Sequence, residues 1–506
     1  MKKYQQLLLL TLVIALAMRL PLLGGSFWLD EAAQALESAR PLSQQLDITP
    51  DFQPPLLHLI LFVAIRISQT EWWLRLIGAV IPGLIAIAST IKLAKMSLGK
   101  KAAIIAGILT ATSSFHIFFS QELRPYSLAA MWAALSITTL YSYLEEKKPV
   151  RSLKQLLLGW WPLILINILG LYSSYLYPFV LIASFLVILI LKRDLLKDYL
   201  LSAVASSIAF LPWLPSFYKQ LTTGQQLRQS LPGWDQVVSH PQMQALPLTL
   251  GKFFFGVIRL DVNLVFVGIS VAIMFATLVL LAYYHQQSSA KQKNQSSLYF
   301  SLLFIIFLLM VPWLVSFWIP VVQPKRLMFV QPLIYLFLSG LIVCGWRLKK
   351  IATRISAGAL LLVLLGLNIS SSYQYFRSPL LQRENWRSLV DLIETRFPNN
   401  DTLIVFAFDE PFAPWRWYAG DNFNTLATGK TPLPSLEVAQ TKIKPAYDYS
   451  FILVFDYLRD LTDPHDYLTQ AISSLGYEEI ETIDRENIGF VRVYIQDKSL
   501  LMSYRE

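Results

Sequence analysis

Two carboxylates stand side by side, Asp30 and Glu31, in the stretch "GGSFWLDEAAQALESAR" (24–40), directly after the first long apolar run of the chain. Other polar groups recur at comparable places. Asp51 and Gln53 lead into "DFQPPLLHLIL", which also carries His58. Gln121, Glu122, Arg124 and Tyr126 stand together in "SSFHIFFSQELRPYSLAA", and Lys325 with Arg326 heads a late apolar run in "IPVVQPKRLMF". Acids held at one membrane edge could act as a general base or as metal ligands, and cations there could hold an anionic phosphate.

The elements that must position these groups are membrane spans. Of 506 residues, 55% are hydrophobic and 15% charged, against about 25% charged in an ordinary soluble domain. Runs that could cross a bilayer cover 4–23, 73–94, 102–120, 124–144, 155–172, 174–191, 198–217, 262–284, 297–319, 327–346 and 353–373. The formal charge of +10 does not point to nucleic acid. Its lysines and arginines gather in short connections such as "KLAKMSLGKK", "EEKKPVRSLK", "KRDLLK" and "RLKKIATR", the pattern of cytoplasmic loops. With those loops and the N-terminus inside, about eleven spans close the alternation. The N-terminal run reads as an uncleaved first span rather than a signal peptide, because Arg19 and Pro21 interrupt its end and no small-x-small site follows. "PPLLHLILFVAIRIS" (54–68) is only about 15 residues long and reads as an interfacial or partly entering helix. The single cysteine, Cys344, lies inside an apolar run and supports neither a disulfide framework nor a zinc motif.

This topology puts all the polar groups above on the outer side, in a first outer loop (24–72), at span mouths, and beside an outer loop at 218–261. After the membrane domain (1–373) the composition changes. "NWRSLVDLIETRF" and "DYLTQAISSLG" have helical spacing, while "DTLIVFAF", "YSFILVFDYL" and "GFVRVYIQ" read as strands. The expectation is a mainly α polytopic membrane protein with interfacial helices and a small extracytoplasmic α/β domain (374–506). No glycine-rich loop opens a helix there, so a nucleotide site is not expected.

"WLDEA", "DFQPPLLHLIL", "SSFHIFFSQELRPYSLAA" and "PKRLMFVQPLIYLFL", in that order, resemble the bacterial branch of the protein O-mannosyltransferase superfamily. That superfamily shares a membrane glycosyltransferase fold with the lipid A aminoarabinose transferases and the oligosaccharyltransferases. The resemblance covers the membrane part, and "SQELRPY" is its most specific piece. It implies transfer of a sugar from a polyprenyl-phosphate carrier to a protein, lipid or cell-envelope acceptor at the outer face of the cell membrane. By the same resemblance Asp30 maps to the general base, Glu31 to its partner and Arg124 to a cation near the lipid phosphate. Either Lys325 or Arg326 could take the late arginine position, so both are phosphate candidates. Asp51, Gln53, His58, Gln121, Glu122 and Tyr126 would support the substrates. Gln53 stands where many relatives have histidine, and His58 where an aromatic often sits, which leaves a divalent metal ion open.

Plainer roles compete with each of these. Acids suit the first turn of a helix, Glu122 and Arg124 could be a structural pair near Pro125, and Lys325 with Arg326 could anchor a span by snorkelling. His58 and His116 could simply pack. The tryptophans at 72–73, 160–161, 213, 313 and 318 read as an aromatic belt, and "PGWDQ" (232–236) could line a sugar groove. A lipid or glycolipid transporter would share the spans and the belt. It should also carry ionisable groups at mid-membrane depth or an internal repeat, and neither stands out.

Overall fold

The computed structural model describes residues 2–48, 51–146, 153–231, 240–259, 261–287, 292–348 and 350–496. The stretch "PGWDQ" therefore lies outside the described residues. The chain forms two compact units. One comprises 1–23, 41–219 and 239–377; the other comprises 24–40, 220–238 and 378–506.

The first unit is helical. Among the described residues six helices are long and apolar enough to cross a membrane: Glu71–Ser97, Arg193–Ser230, Leu264–Gln286, Ser297–Val315, Lys325–Arg347 and Ile351–Arg377. Tyr4–Ala17, Gly159–Leu171 and Pro178–Leu191 are shorter apolar helices. The chain is thus a multi-pass membrane protein. Burial separates the roles of these helices. Lys325–Arg347 has 94% of its apolar window inside the protein, whereas Leu264–Gln286 has 17%. The former is the hydrophobic centre of the unit, and the latter turns apolar side chains outward as a lipid-facing helix does.

Local chemistry cuts the apolar runs into these pieces. The run at 102–120 is two helices, Lys100–Thr112 and Ser114–Phe119, because Ser113 leaves helical geometry and caps the second through the His116 N–H. Leu76–Val80 is a π-turn that joins Glu71–Arg75 to Ile81–Ser97, with Pro82 in the first turn of the latter. Leu56–Ile65 has 10 residues, about 15 Å of helix, half of a bilayer core of ~30 Å. The stretch expected as an outer loop from 218 is instead helical at both ends: the preceding helix runs on to Ser230, and Gln242–Phe255 forms another. "QLTTGQQLRQS" has no apolar stripe to announce a helix, and it continues one already nucleated by the apolar residues before it. The tryptophans divide as well. Trp72, Trp161 and Trp318 are exposed, as a belt requires, but Trp160 and Trp213 are buried packing residues.

The second unit is a three-layer α/β domain. Its strands are β1 (Thr402–Phe406), β2 (Asn424–Ala427), β3 (Phe451–Phe455), β4 (Glu478–Arg485) and β5 (Gly489–Ile495), in the order β2-β1-β3-β5-β4. β1 runs parallel to β2 and β3, while β5 is antiparallel to β3 and β4. β1 and β3 are buried along their whole length, as continuous apolar runs in a sheet covered on both faces should be. One face packs Trp386, Leu389 and Ile393 of the helix Trp386–Arg396 and Trp415 against Phe406 and Phe455. The other packs Ala439 and Ile443 of Leu436–Ile443 and Leu468 and Ile472 of Tyr467–Ser474 against Val405 and Val454. The β4–β5 hairpin turns through Asn487 and Gly489, both at positive φ.

Residues 24–40 belong to this second unit. Phe27 is fully buried, its N–H donates to the Tyr418 hydroxyl at 2.7 Å, and its ring meets Trp417 edge-on at 5.7 Å. The Arg387 N–H donates to Ser26 Oγ at 3.1 Å, and Leu29 packs against the Trp386 core.

Candidate active site

The paired carboxylates open the helix Leu29–Ala39. Trp28 at its N-cap is extended, and Asp30 and Glu31 occupy the first turn, where unpaired helix N–H groups favour negative charge. Alternate burial gives the two acids different surroundings. Glu31 is fully buried and forms an ion pair with Arg383, Oε2 to Nε 3.7 Å, while Asp30 is half-buried. A third carboxyl, Glu384, was not foreseen. It accepts from Trp386 Nε1 at 2.6 Å, from the Tyr457 hydroxyl at 2.8 Å and from the Leu29 backbone, and it lies near enough to Asp30 for the two charges to interact.

In the helical unit, Asp51 gathers its neighbours around one carboxylate. Arg124 Nη1 donates to Oδ1 at 2.9 Å; His58 Nε2 lies 3.0 Å from Oδ2, and the Gln53 amide donates to that same oxygen. Gln53 Nε2 is also 2.9 Å from His58 Nε2. Burial alone would raise the Asp51 carboxyl, but the Arg124 charge and the hydrogen bond from His58 outweigh it and hold the group below its ordinary value. Arg124 thus pairs with a residue 73 positions earlier in the chain. Asp51 and His58 supply one carboxylate and one imidazole, donor types that fit a zinc-type ion, and Arg124 would compete with such an ion for the same carboxylate.

A cluster of cations lies in the same unit. Lys325 Nζ stands 5.5 Å from the centre of the Tyr126 ring, within cation–π range. Arg326 donates from Nη1 to Pro320 O at 3.2 Å and is close enough to Arg124 and Tyr126 to interact electrostatically with each. Lys325 to Val330 form a 3-10 turn that precedes the buried helix Gln331–Arg347, which sets both cations at its head. Two basic groups escaped the sequence reading, His240 and Lys252. His240 is pushed down by burial and by the charges of Arg326 and Lys252, which marks it as a neighbour of the same cluster. No recognisable motif surrounds either residue.

Gln121 has a different setting. Its amide donates to Arg19 O at 2.8 Å and Pro21 O at 2.6 Å, and Tyr375 donates to its Oε1 at 2.9 Å. His116 Nδ1 is 2.9 Å from Arg19 Nη2, and Arg19 Nε donates to Ser120 Oγ at 2.7 Å. Gln121 and His116 therefore lock the end of the first helix; both are fully buried, as is Arg19, and Glu122 is nearly so. The acidic pair falls in one unit, and Asp51, Gln53, His58, Gln121, Glu122, Arg124, Tyr126, Lys325 and Arg326 fall in the other.

Apolar spans together with a covered α/β sheet define a class of membrane protein, and solved structures share that fold. The fold is similar to that of ArnT from Cupriavidus metallidurans bound to undecaprenyl phosphate, at 11% identity over 98% of both chains with a TM-score of 0.56. It is also similar to the oligosaccharyltransferase AglB from Archaeoglobus fulgidus in complex with an inhibitory peptide and a dolichol-phosphate. That match has 12% identity, 98% of this chain, 74% of that one and a TM-score of 0.53. An Archaeoglobus fulgidus oligosaccharyltransferase in complex with Zn and sulfate matches at 12% identity, 96% and 72% coverage and a TM-score of 0.54. No protein-family model and no curated protein matches the sequence. The likeness is one of fold, and the fold is the one that the sequence resemblance implied.

Proposed function

We propose that this chain is a membrane glycosyltransferase that moves a sugar from a polyprenyl-phosphate carrier to an acceptor at the outer face. The observation that carries this reading is the gathering of Arg124, Lys325 and Arg326 about Tyr126 in a membrane-embedded unit. Cations so placed suit a ligand that brings its own negative charge, and a lipid phosphate is such a ligand.

In the reaction, Asp30 accepts the proton of the acceptor hydroxyl or amine. The acceptor atom forms its bond to the anomeric carbon, the bond from that carbon to the phosphate oxygen breaks, and its electron pair stays on the phosphate. Arg124 with Lys325 or Arg326 stabilises the charge that builds there, an effect of several kcal/mol in a low-dielectric site. Glu31, held by Arg383, keeps the first turn of the helix in place. A divalent ion, if bound, would be held by Asp51 and His58 and would add positive charge to the site. We read the N-terminus as cytoplasmic, with about eleven crossings and residues 374–506 outside, from the basic loops.

The test uses purified full-length protein in detergent with a panel of radiolabelled undecaprenyl-phosphate-linked hexoses and pentoses. One donor should lose its sugar, and Asp30→Asn should abolish that loss while leaving folding and donor binding intact. If no donor is consumed while lipid phosphate still binds, the transferase reading gives way to transport. If Asp30→Asn turns over at the wild-type rate, the base has been misassigned.

A further inference from the structure

The mechanism above makes no use of Glu384. Its two carboxyl oxygens are nevertheless fixed by aromatic donors, Oε2 by Trp386 and Oε1 by Tyr457. It also receives the backbone N–H of Leu29, the first residue of Leu29–Ala39. The N-cap residue of that helix, Trp28, offers no side-chain acceptor. Glu384 therefore does, from far along the chain, what a capping side chain does locally. The next helix residue is Asp30, whose charge acts on both Glu384 and Tyr457. The one after it is Glu31, paired with Arg383. Two consecutive residues of the C-terminal domain thus engage three consecutive residues at the start of this helix.

We propose that Arg383 and Glu384 are positioning residues for the Asp30–Glu31 pair. Arg383 neutralises Glu31, and Glu384 anchors the helix start while holding a titratable charge beside Asp30. The inference rests on the reading of Asp30 as the base. A purely structural cap would need only an acceptor for the Leu29 N–H, and a neutral amide could provide one. The setting of Glu384 does more than that. Burial pushes its carboxyl up to about 7, the Asp30 charge adds to the rise, and the Trp386 and Tyr457 hydrogen bonds oppose it. Asp30 and Tyr457 are the titratable groups acting on it, and the Arg383–Glu31 pair adjoins it in sequence. Below its pKa Glu384 is neutral. Above it, the added negative charge favours movement of the acceptor proton onto Asp30.

The experiment measures turnover of the consumed undecaprenyl-phosphate sugar from about pH 5.5 to 8.5, a window that brackets the Glu384 ionisation. Full-length wild type, Glu384→Gln, Tyr457→Phe and Asp30→Asn are compared, with unfolding midpoints recorded at each pH. Wild type should show a step in kcat near pH 7. Glu384→Gln should lose the step and about tenfold in kcat with donor KM unchanged. Tyr457→Phe removes one of the bonds that lower the Glu384 pKa, so its step should move to higher pH. The unfolding midpoints give a reading that needs no donor. A carboxyl raised on folding makes stability fall as pH rises from its unfolded value towards about 7, and Glu384→Gln should flatten that fall. If Glu384→Gln keeps both the step and the fall in stability, the inference is overturned. If Glu384→Gln does not fold, an unmoved step in Tyr457→Phe overturns it equally. A fully active Asp30→Asn defeats the base assignment instead, whatever Glu384 does.

Discussion

Removing Arg124 should expose how much of the helical unit's candidate site is held together by one ion pair. Asp51 and Arg124 are 9% and 14% exposed and meet at 2.9 Å. Truncating one member of a buried pair costs ~3–5 kcal/mol, because the other charge is left in a poorly solvated place. The residual exposure and the contacts of Asp51 with His58 and Gln53 put Arg124→Ala near the bottom of that range, about 3 kcal/mol. The sign with pH is fixed by the same groups. In wild type the depressed Asp51 pKa contributes stability that is present above the unfolded value and lost as pH falls through the folded one. Without Arg124, burial is opposed less, with His58 still acting against it, so the carboxyl rises. The defect should therefore be largest near neutrality and shrink as pH falls and Asp51 takes up a proton. Asp51→Asn in the Arg124→Ala background should restore most of the loss, since it removes the stranded charge. Equilibrium unfolding of the four proteins of the cycle, in detergent at neutral and acid pH, measures all of this. Transfer activity of the same four proteins then separates two roles. A phosphate ligand stays lost in the double variant, whereas a merely structural Arg124 brings activity back with stability. A stable Arg124→Ala, or a double variant no better than the single one, refutes the reasoning.

Lys325→Ala and Arg326→Ala should each cost about a hundredfold in kcat if both face the leaving phosphate. A near-normal rate in one of them, measured with saturating donor, assigns the late phosphate contact to the other. In the α/β domain Trp386 is fully buried and stacks on Phe455 at 5.6 Å. Trp386→Ala should lose ~3–5 kcal/mol of domain stability, and an unchanged unfolding curve would mean that this face of the sheet is not its core. Cys344 is the chain's single cysteine, so a Cys344→Ala background allows cysteines placed one at a time in 374–506 and in "KRDLLK" to be labelled from outside intact cells. Label on the first group and none on the second is expected, and the reverse pattern would invert the topology.

Much of this architecture is legible without coordinates, because lipid and sheet interiors impose strong rules on composition. A span must be apolar for about 20 residues, and β1, β3 and β5 are apolar or β-branched enough to be recognised as strands. β4, "EEIETIDR", is an edge strand whose charged residues protect it from further pairing, so the pattern that makes it useful also hides it. β2 has only 4 residues and depends on β1 for its geometry. The candidate site divides in the same way. Asp30, Arg124 and Lys325 are conspicuous because charges near a membrane edge are costly unless used. Glu384 sits in an ordinary polar stretch, "LLQRENW", where nothing distinguishes it from a solvated glutamate. Its meaning comes from Tyr457, 73 positions later, and from Leu29, far earlier in the chain. Sequence displays the type and local spacing of charges, and folding decides which distant charges become neighbours. A carboxyl that is unremarkable in the chain can therefore become, once enclosed by Trp386 and Tyr457, one whose ionisation is pushed up to about 7 beside the acidic pair.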